Sequence, residues 1–301
     1  MEAVSGNEFL KARIRELSLP MQVRETGLSP GIEPLEGVRA VLFDVYGTLL
    51  MSGSGEVGTA LESSSEAAMF AALAAAGCAP RENAGRRGVE LMQHDIRAAH
   101  ERMKAEGVDF PEINILETWE EILRSLKREN FVAADSDGVD LERLAVEYEC
   151  RANPVWPMPG FPQVLSELMH KGMRLGIVSN AQFYTPLMIE ALAGKSVEQL
   201  GFQRDLTVYS YSIRRAKPSS ELFQRVLKPF RGNCSITPAE TLYVGNDMLN
   251  DIQTAARNGC RTALFAGDAR SLRLRDQNPP ALNPQPDLII TSLMQLPGAL
   301  I

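Results

Sequence analysis

The sequence predicts an α/β fold in which a doubly wound parallel sheet is interrupted by a block of helices. Short apolar runs, typical of buried strands, alternate with segments of helical periodicity through the second half of the chain. Another apolar run, at 37–44, lies far upstream, and the long segment after it has helical periodicity. Because parallel strands need crossover connections, this alternation predicts a parallel sheet, with the helical block inserted after its first strand.

Changes in composition divide the chain into an extension, a core and an inserted cap. Glycines and serines follow the first strand at 51–58, and three prolines and a tryptophan lie between Asn153 and Gly160. We interpret both stretches as hinges between regions. The predicted regions are an N-terminal extension at 1–36, a core domain at 37–52 and 156–301, and a helical cap domain at 53–155.

The first hinge contains a literal G-x-G-x-x-G at Gly53, Gly55 and Gly58. The dinucleotide-binding fingerprint requires these glycines directly between a strand and a helix. Here they begin seven residues after Tyr46, and Asp44 would face a pyrophosphate with like charge. We therefore interpret the glycines as a hinge and not as a cofactor site.

Composition narrows the class of protein further. The 301 residues carry a net charge of −7, which argues against a nucleic-acid partner, because phosphate binding needs a basic patch. No apolar run reaches about 18 residues, so we expect no membrane partner. The four cysteines show no C-x-x-C spacing, and the N-terminus does not resemble a secretory signal. We therefore expect a cytoplasmic protein.

Polar side chains follow four of the predicted strands. In chain order they are Asp44, Ser179 with Asn180, Lys217, and the pair Asp247 and Asp251. Each signal is weak alone, because an Asp or Ser after a strand commonly caps a helix, and a Lys-Pro pair usually lies in a solvated turn. Ligands of parallel sheets bind beyond the carboxyl ends of the strands, so we expect these side chains to face one site.

This set of side chains suits the transfer of a phosphoryl group. A carboxylate can act as a nucleophile and form an aspartyl-phosphate. A second carboxylate would repel the first unless a cation separates them, and Mg²⁺ suits that role because it binds carboxylate and phosphate oxygens. A hydroxyl can hold phosphate oxygens, and a lysine offsets the negative charge that gathers there.

Together the D-x-Y-G-T segment that begins at Asp44 and the three later motifs resemble the haloacid dehalogenase-like (HAD) hydrolase superfamily. The resemblance covers 37–50 and 156–290 by motifs, and the segment between them fits the family's cap in position and length. It implies a Rossmann-like core with an inserted α-helical cap of the C1 type.

The resemblance also implies roles for individual residues. Asp44 matches the nucleophile, Ser179 the hydroxyl of the second motif and Lys217 the lysine of the third. The catalytic residues implied are Asp44, Tyr46, Ser179 and Lys217, and the substrate-binding residues are Thr48, Ser179, Asn180 and Lys217. The implied Mg²⁺ ligands are Asp44, the Tyr46 carbonyl, Asp247 and Asp251, the last either directly or through water. Asn246 precedes Asp247 where glycine alone often stands in the family.

Tyr46 departs from the pattern of HAD phosphatases, which usually carry an aspartate there as general acid and base. Tyrosine at this position resembles the haloacid dehalogenases, whose halide leaves without a proton. Tyrosine, with an ordinary pKa near 10, is a poor base at neutral pH. Asp247 favours the phosphatase instead, since the metal-free dehalogenases of the family have serine and asparagine at the corresponding place. A further buried aspartate beside Asp44 would disable the nucleophile without a cation, so the carboxylates favour a metal.

The sequence therefore predicts a Mg²⁺-dependent phosphatase that acts on a small phosphorylated metabolite through Asp44. The lack of an acid at Tyr46 favours substrates whose leaving group has a low pKa. Two alternatives stay open. One is a 2-haloacid dehalogenase with Asp44 as nucleophile, and the other is a catalytically weak protein that binds phosphate or regulates.

The inserted helices are expected to choose the substrate, although the sequence names no pocket residue among them. His94, Arg97 and His100 share one helix face, which is more typical of a solvated face than of a recognition site. Trp119 is expected in the core.

Overall fold

The computed structural model describes residues 6–53, 62–133, 138–228, 236–275 and 284–301. It confirms the α/β prediction. Six parallel strands form one sheet in the order β5-β4-β1-β6-β7-β8, and two further strands pair separately. The strands are β1 Ala40–Phe43, β2 Leu50–Ser52, β3 Val155–Pro157, β4 Arg174–Ser179, β5 Phe202–Tyr209, β6 Thr241–Gly245, β7 Arg261–Phe265 and β8 Leu288–Ile290.

Helices cover both faces of the sheet and form the inserted block. They are α1 Gly6–Leu17, α2 Glu62–Ala75, α3 Ala84–Ala105, α4 Ile115–Arg128, α5 Leu141–Ala152, α6 Gln163–His170, α7 Tyr184–Ala193, α8 Ser210–Ile213, α9 Glu221–Leu227, α10 Thr254–Arg257 and α11 Leu296–Ala299. A π-helical turn, Met248–Gln253, leads directly into α10. The alternation of β1 explains the two faces: Leu42 packs in the cluster that includes α9, and Phe43 in the cluster that includes α6 and α7.

The inserted block consists of α2 to α5. In the sequence these helices come after β1 and before the other strands of the six-stranded sheet, as predicted. Its core is built from apolar residues at helical spacing, such as Ile122 and Leu126 of α4, around the fully buried Trp119. Asn114 and Asp140 cap α4 and α5 through their side chains, which fixes where these helices begin.

Two segments that the sequence suggested as hinges pair with each other. β2 and β3 form an antiparallel ribbon in which Leu50 is opposite Pro157 and Ser52 is opposite Val155. The Ser52 hydroxyl donates to the side chain of Asn153 (2.7 Å), and the pairing continues to Gly53. The described ends of both segments, 50–53 and 154–157, are thus hydrogen-bonded to each other, while their role as hinges stays a prediction. Gly55 and Gly58 lie outside the described residues.

The N-terminal extension is anchored at several points. α1 packs against α5 and α7 through the buried Leu10 and Ile14. Arg13 forms an ion pair with Glu147 of α5 (2.7 Å). Further along, Gly31 pairs with β8 of the sheet. The extension thus contacts both the inserted block and the core.

No helix in the described part of the chain is both long enough and apolar enough to span a membrane. The described cysteines, Cys78, Cys150 and Cys260, are buried. Cys234 lies outside the described ranges.

Candidate active site

The carboxyl ends of the three central strands meet at one edge of the sheet. β1 pairs with β4 and β6 so that Phe43 is level with Ile177 and Val244. Asp44 follows β1 at this edge, where its side chain is 12% exposed. The chain then turns sharply at Gly47, whose φ is +81° and where an added Cβ would lie 2.5 Å from the Cβ of Ser271. Only glycine fits this turn.

Lys217 joins groups at the ends of two of these strands, β1 and β6. Its Nζ donates to Oδ1 of Asp44 (2.9 Å), to Oδ1 of Asp251 (2.6 Å) and to the hydroxyl of Tyr243 (2.9 Å). The ammonium is almost fully buried, with 2% of the side chain exposed. Burial alone would lower the pKa of Lys217, but Asp251 and Asp44 raise it above its ordinary value. Lys217 is therefore a buried, charged bridge between two carboxylates.

Asp251 is held on both oxygens. Its Oδ2 accepts the backbone N–H of Asp247 (2.9 Å), while its Oδ1 lies near Lys217 and the Tyr243 hydroxyl (3.2 Å). Burial raises the pKa of Asp251 to about 7, and the Asp44 and Asp247 carboxylates act in the same direction against Lys217. Tyr243 also donates to the carbonyl of Val178 (2.7 Å), which ties β6 to β4.

Asp247 begins the π-helical turn and is held by a second cation. Its Oδ1 accepts the backbone N–H groups of Leu249 (2.8 Å) and Asn250 (3.1 Å). Arg275 adds a bidentate ion pair, with Nε 3.1 Å from Oδ1 and Nη2 on Oδ2. Single π-helical turns of this kind are frequent at functional sites.

Tyr46 lines the cavity, but its hydroxyl is hydrogen-bonded to α7. It lies 2.9 Å from Oγ1 of Thr185 and 3.5 Å from Sδ of Met188. Burial raises the pKa of Tyr46 well above 10, with a smaller contribution from Glu149. Tyr46 therefore cannot serve as a base at neutral pH.

The remaining predicted residues differ in their exposure to the site. Asn180 lines the cavity, and its side chain accepts the backbone N–H of Lys217 (2.7 Å), which fixes the start of the Lys217 loop. Ser179 is fully buried, with its Oγ 3.4 Å from the Asn180 carbonyl. Thr48 is also fully buried and donates to the side chain of Asn246 (3.0 Å). The hydroxyls of Ser179 and Thr48 thus have protein partners in this arrangement.

A cavity of about 480 Å³ extends from this edge of the sheet into the inserted block. Its wall includes six of the predicted residues: Asp44, Tyr46, Asn180, Lys217, Asp247 and Asp251. The block contributes apolar side chains, among them Met92, Ile96 and Ile113, and also Trp119 and His100. Trp119 thus lies both in the core and at the cavity wall, and His100 faces inward while His94 is exposed.

Two buried carboxyl groups in the cavity wall escaped the sequence analysis. Glu112 accepts hydrogen bonds from Ser210 (2.7 Å) and Gln182 (3.1 Å), and burial raises its pKa. Glu149 accepts from Tyr184 (3.0 Å), and burial raises its pKa as well. Glu149 lies on the buried face of α5, which periodicity could have indicated, whereas Glu112 lies in the connection before α4, where the sequence offers no such signal.

The donor atoms at the sheet edge fit Mg²⁺ in kind, because the ion prefers hard oxygen ligands. Asp44, Asp247 and Asp251 supply carboxylates, and no described residue donates a hydrogen bond to the backbone carbonyl of Tyr46. Among the residues described, however, no three acidic, histidine or cysteine side chains form a group that could hold a metal. The carboxylates instead form ion pairs with Lys217 and Arg275.

The sequence predicted that a metal ion separates Asp44 from the neighbouring carboxylate, and the structure corrects the reason for that prediction. Lys217 lies between Asp44 and Asp251, so the protein itself supplies a cation there. The presence of two aspartates no longer demands a metal by itself.

Solved structures are similar to this chain over most of its length, at 18–19% sequence identity. The search of curated protein sequences found no significant match. A 2-haloacid dehalogenase from Pseudomonas syringae pv. tomato DC3000 is 19% identical, with a TM-score of 0.53 over 87% of this chain and 97% of that chain. The L-2-haloacid dehalogenase from Xanthobacter autotrophicus is 19% identical, with a TM-score of 0.49 over 87% of this chain and 97% of that chain. The putative HAD-hydrolase YfnB from Bacillus subtilis, bound to magnesium, is 18% identical, with a TM-score of 0.48 over 86% of this chain and 96% of that chain.

The family comparison extends over most of the chain. The family model described as haloacid dehalogenase-like hydrolase matches residues 38–259, which include β1, the inserted block, Lys217 and Asp247. The protein is therefore a member of the haloacid dehalogenase-like hydrolase family.

Proposed function

We propose that the protein is a phosphatase that forms an aspartyl-phosphate on Asp44 and uses Mg²⁺. The observation that supports this most directly is the state of the Asp44 carboxylate. Lys217 holds its Oδ1 at 2.9 Å, while no described residue donates a hydrogen bond to Oδ2, and the side chain lines the cavity. One oxygen is thus fixed and the other is available for attack.

The proposed reaction has two steps. Oδ2 of Asp44 attacks phosphorus, and the bond from phosphorus to the leaving oxygen breaks with its electron pair. Water then hydrolyses the aspartyl-phosphate, which releases inorganic phosphate and regenerates the carboxylate. Lys217 supplies positive charge beside the phosphoryl group as negative charge develops on its oxygens.

Mg²⁺ would be held by oxygens of Asp44, Asp247 and the Tyr46 carbonyl, with Asp251 nearby. When bound, it supplies charge that stabilises the phosphoryl oxygens. The rest of the assignment concerns the chain's own groups: Asn180 orients the Lys217 loop, and Asp251 holds the ammonium in position.

The leaving group follows from Tyr46. Its hydroxyl is hydrogen-bonded to Thr185 and has a raised pKa, so it is a poor proton donor to a departing alkoxide. The absence of general acid catalysis typically costs about 10²–10⁴ in rate. We therefore assign substrates with a good leaving group, such as acyl phosphates or phosphoanhydrides, carried on a molecule small enough for the cavity. The domain boundaries at 53 and 155, and a cytoplasmic location, remain part of this proposal.

A second candidate is the hydrolysis of 2-haloacids by the same Asp44. It is favoured by the two ion pairs, because Lys217 and Arg275 neutralise Asp251 and Asp247 within the protein. Halide also leaves without a proton, which suits the buried Tyr46 hydroxyl. The third possibility, a protein that binds phosphate without turnover, predicts Mg²⁺-assisted phosphate binding and no hydrolysis.

A substrate panel tests these candidates. Acetyl phosphate, p-nitrophenyl phosphate, glycerol phosphate and 2-chloropropionate are each incubated with the purified protein, with Mg²⁺ or with EDTA. We expect phosphate release from acetyl phosphate that needs Mg²⁺ and is abolished in Asp44→Asn. Chloride release in EDTA would instead establish the dehalogenase, and inactivity towards all four substrates would leave the binding protein.

A further inference from the structure

Arg275 occupies the carboxylate to which the proposed function assigns the metal. Its guanidinium makes a bidentate ion pair with Asp247, whose side chain is only 9% exposed, and both residues line the cavity. Bidentate arginine–carboxylate pairs are among the strongest charge-assisted contacts in proteins. Resting on the proposed function, we propose that Arg275 is a built-in competitor of Mg²⁺ that must leave Asp247 before the ion binds, and that it thereby sets the metal affinity.

The hydrogen bonds of Asp247 make the two cations mutually exclusive. Oδ1 already accepts from the backbone of Leu249 and Asn250, and Oδ2 accepts from the Asn250 side chain (3.1 Å). With the two bonds from Arg275, the carboxylate accepts five, which already exceeds its roughly four lone-pair sites. The backbone donors belong to the π-helical turn and the Asn250 amide is neutral, so the guanidinium is the charged partner that an incoming ion has to replace.

Electrostatics lead to the same conclusion. A guanidinium and a divalent ion on one carboxylate would lie within a few ångströms of each other and repel strongly where little water screens them. The Arg275 side chain is 31% exposed, so it has a route towards solvent when it leaves Asp247. Displacement of Arg275 therefore relieves the repulsion without burying an unpaired charge.

The backbone of Arg275 indicates that the side chain matters at this position. Its φ is +56°, in the left-handed region that residues other than glycine and asparagine rarely adopt. Such a conformation costs free energy and persists where surrounding contacts stabilise it. The observed contacts at this position include the ion pair with Asp247.

A competitor lowers the apparent affinity for Mg²⁺ in proportion to the fraction of protein in which Asp247 is free. Removing Arg275 should therefore tighten Mg²⁺ binding. For a partly exposed but bidentate pair we expect roughly a tenfold fall in the dissociation constant. Activity need not follow, because binding and turnover are separate quantities.

Isothermal titration calorimetry with MgCl₂ alone, on the full chain without substrate, tests the proposal. The variants are Arg275→Gln and Arg275→Asn, the second of which suits a positive φ and serves if the first folds poorly. Arg273→Gln is the matched control, because Arg273 lines the same cavity but its Nη1 donates to the carbonyls of Arg270 and Leu272. Circular dichroism and thermal unfolding establish that each variant is folded.

We expect both Arg275 variants to bind Mg²⁺ about tenfold more tightly than the wild type and than Arg273→Gln. Equal affinity in the wild type and the Arg275 variants would overturn the competition and leave the proposed function standing. An equal gain in Arg273→Gln would also overturn it, because general charge would then explain the effect. If no variant binds Mg²⁺, both the competition and the metal-dependent reaction are wrong.

Discussion

The Nζ of Lys217 lies 2.9 Å from Oδ1 of Asp44, in a site where both side chains are largely buried. The contact joins the end of β1 to the loop before α9, which are far apart in the sequence. Because the neighbouring carboxylates raise the pKa of Lys217, the ammonium is charged at neutral pH. The proposed nucleophile is therefore held by a fixed cation before any ligand enters.

Replacement of Lys217 by methionine removes this cation at nearly constant volume. Asp44 and Asp251 would then be buried without a counter-charge, and breaking a buried pair in this way typically costs about 3–5 kcal/mol of stability. We also expect kcat/KM to fall by about 10²–10³, the usual effect of removing one group that stabilises transition-state charge. Urea unfolding and steady-state kinetics measure the two effects. Lys195→Met, at an exposed position, is the control, and wild-type kinetics in Lys217→Met would contradict the assigned role.

Tyr243 provides a test of the bridge that leaves all charges in place. Tyr243→Phe removes the hydroxyl that accepts from Lys217 and donates to the carbonyl of Val178. Leaving buried polar groups unsatisfied costs about 1–3 kcal/mol each, so the free energy of unfolding should fall by that order. Urea unfolding monitored by circular dichroism provides the measurement.

The chain offers a matched control for this substitution. The hydroxyl of Tyr209 is buried and has no hydrogen-bond partner among the described residues. Tyr209→Phe should therefore leave stability unchanged or raise it slightly, because no bond is lost. Equal destabilisation by the two substitutions would show that the hydroxyl bonds of Tyr243 are not the cause.

The comparison of Asp44 with Arg275 shows what the sequence could predict. Asp44 and Asp247 each follow a strand, and the carboxyl ends of parallel strands meet at one edge, so their proximity follows from periodicity and order. Lys217 lies beyond α8 in the loop before α9, so the strand pattern alone does not place it at the site. Arg275 lies in a loop, where no periodicity predicts the direction in which its side chain points. Tyr243 lies within a strand, where periodicity predicts its face but not the partner of its hydroxyl.

The pairing of β2 with β3 could not be predicted from the sequence for a similar reason. Glycine and proline indicated a break in regular structure at both segments, whereas the described part of each contains a short strand. Their pairing joins residues about a hundred positions apart, and local composition carries no signal for such a contact. Glu112 and Glu149 were missed for a related reason, since their partners come from other elements of the fold.

Glu149 should make the protein less stable as the pH rises. Burial raises its pKa above the ordinary value near 4.5, so the folded state binds more protons than the unfolded state in this range. Stability therefore falls as the pH rises from about 4.5 to the raised folded pKa, and then levels off. In Glu149→Gln this slope should be reduced, which urea unfolding between pH 4 and pH 8 measures. Glu112 contributes in the same direction, so some slope will remain.

Glu147, two residues earlier on α5, provides the opposite control. Burial would raise its pKa, but the ion pairs with Arg13 and Arg151 lower it below 4.5. Its stabilising contribution is complete above about pH 4.5 and is lost as the pH falls through the folded pKa. Glu147→Gln should change the profile below pH 4.5 and leave the upper slope unaltered. Identical profiles for the two variants would refute these assignments.

Tyr46→Asp tests whether the missing acid limits the proposed phosphatase. An aspartate there could protonate a poor leaving group, and a positioned general acid typically contributes about 10²–10⁴ in rate. We expect faster turnover of glycerol phosphate but little change with acetyl phosphate, whose leaving group needs no proton. Tyr46→Phe removes the hydroxyl bond to Thr185 without adding a carboxyl group, so it should not accelerate either substrate. If Tyr46→Asp is folded, binds substrate and still fails to accelerate the alkyl phosphate, the tyrosine does not determine the choice of leaving group. The inserted block would then be the remaining candidate for that choice, because it forms the opposite wall of the cavity.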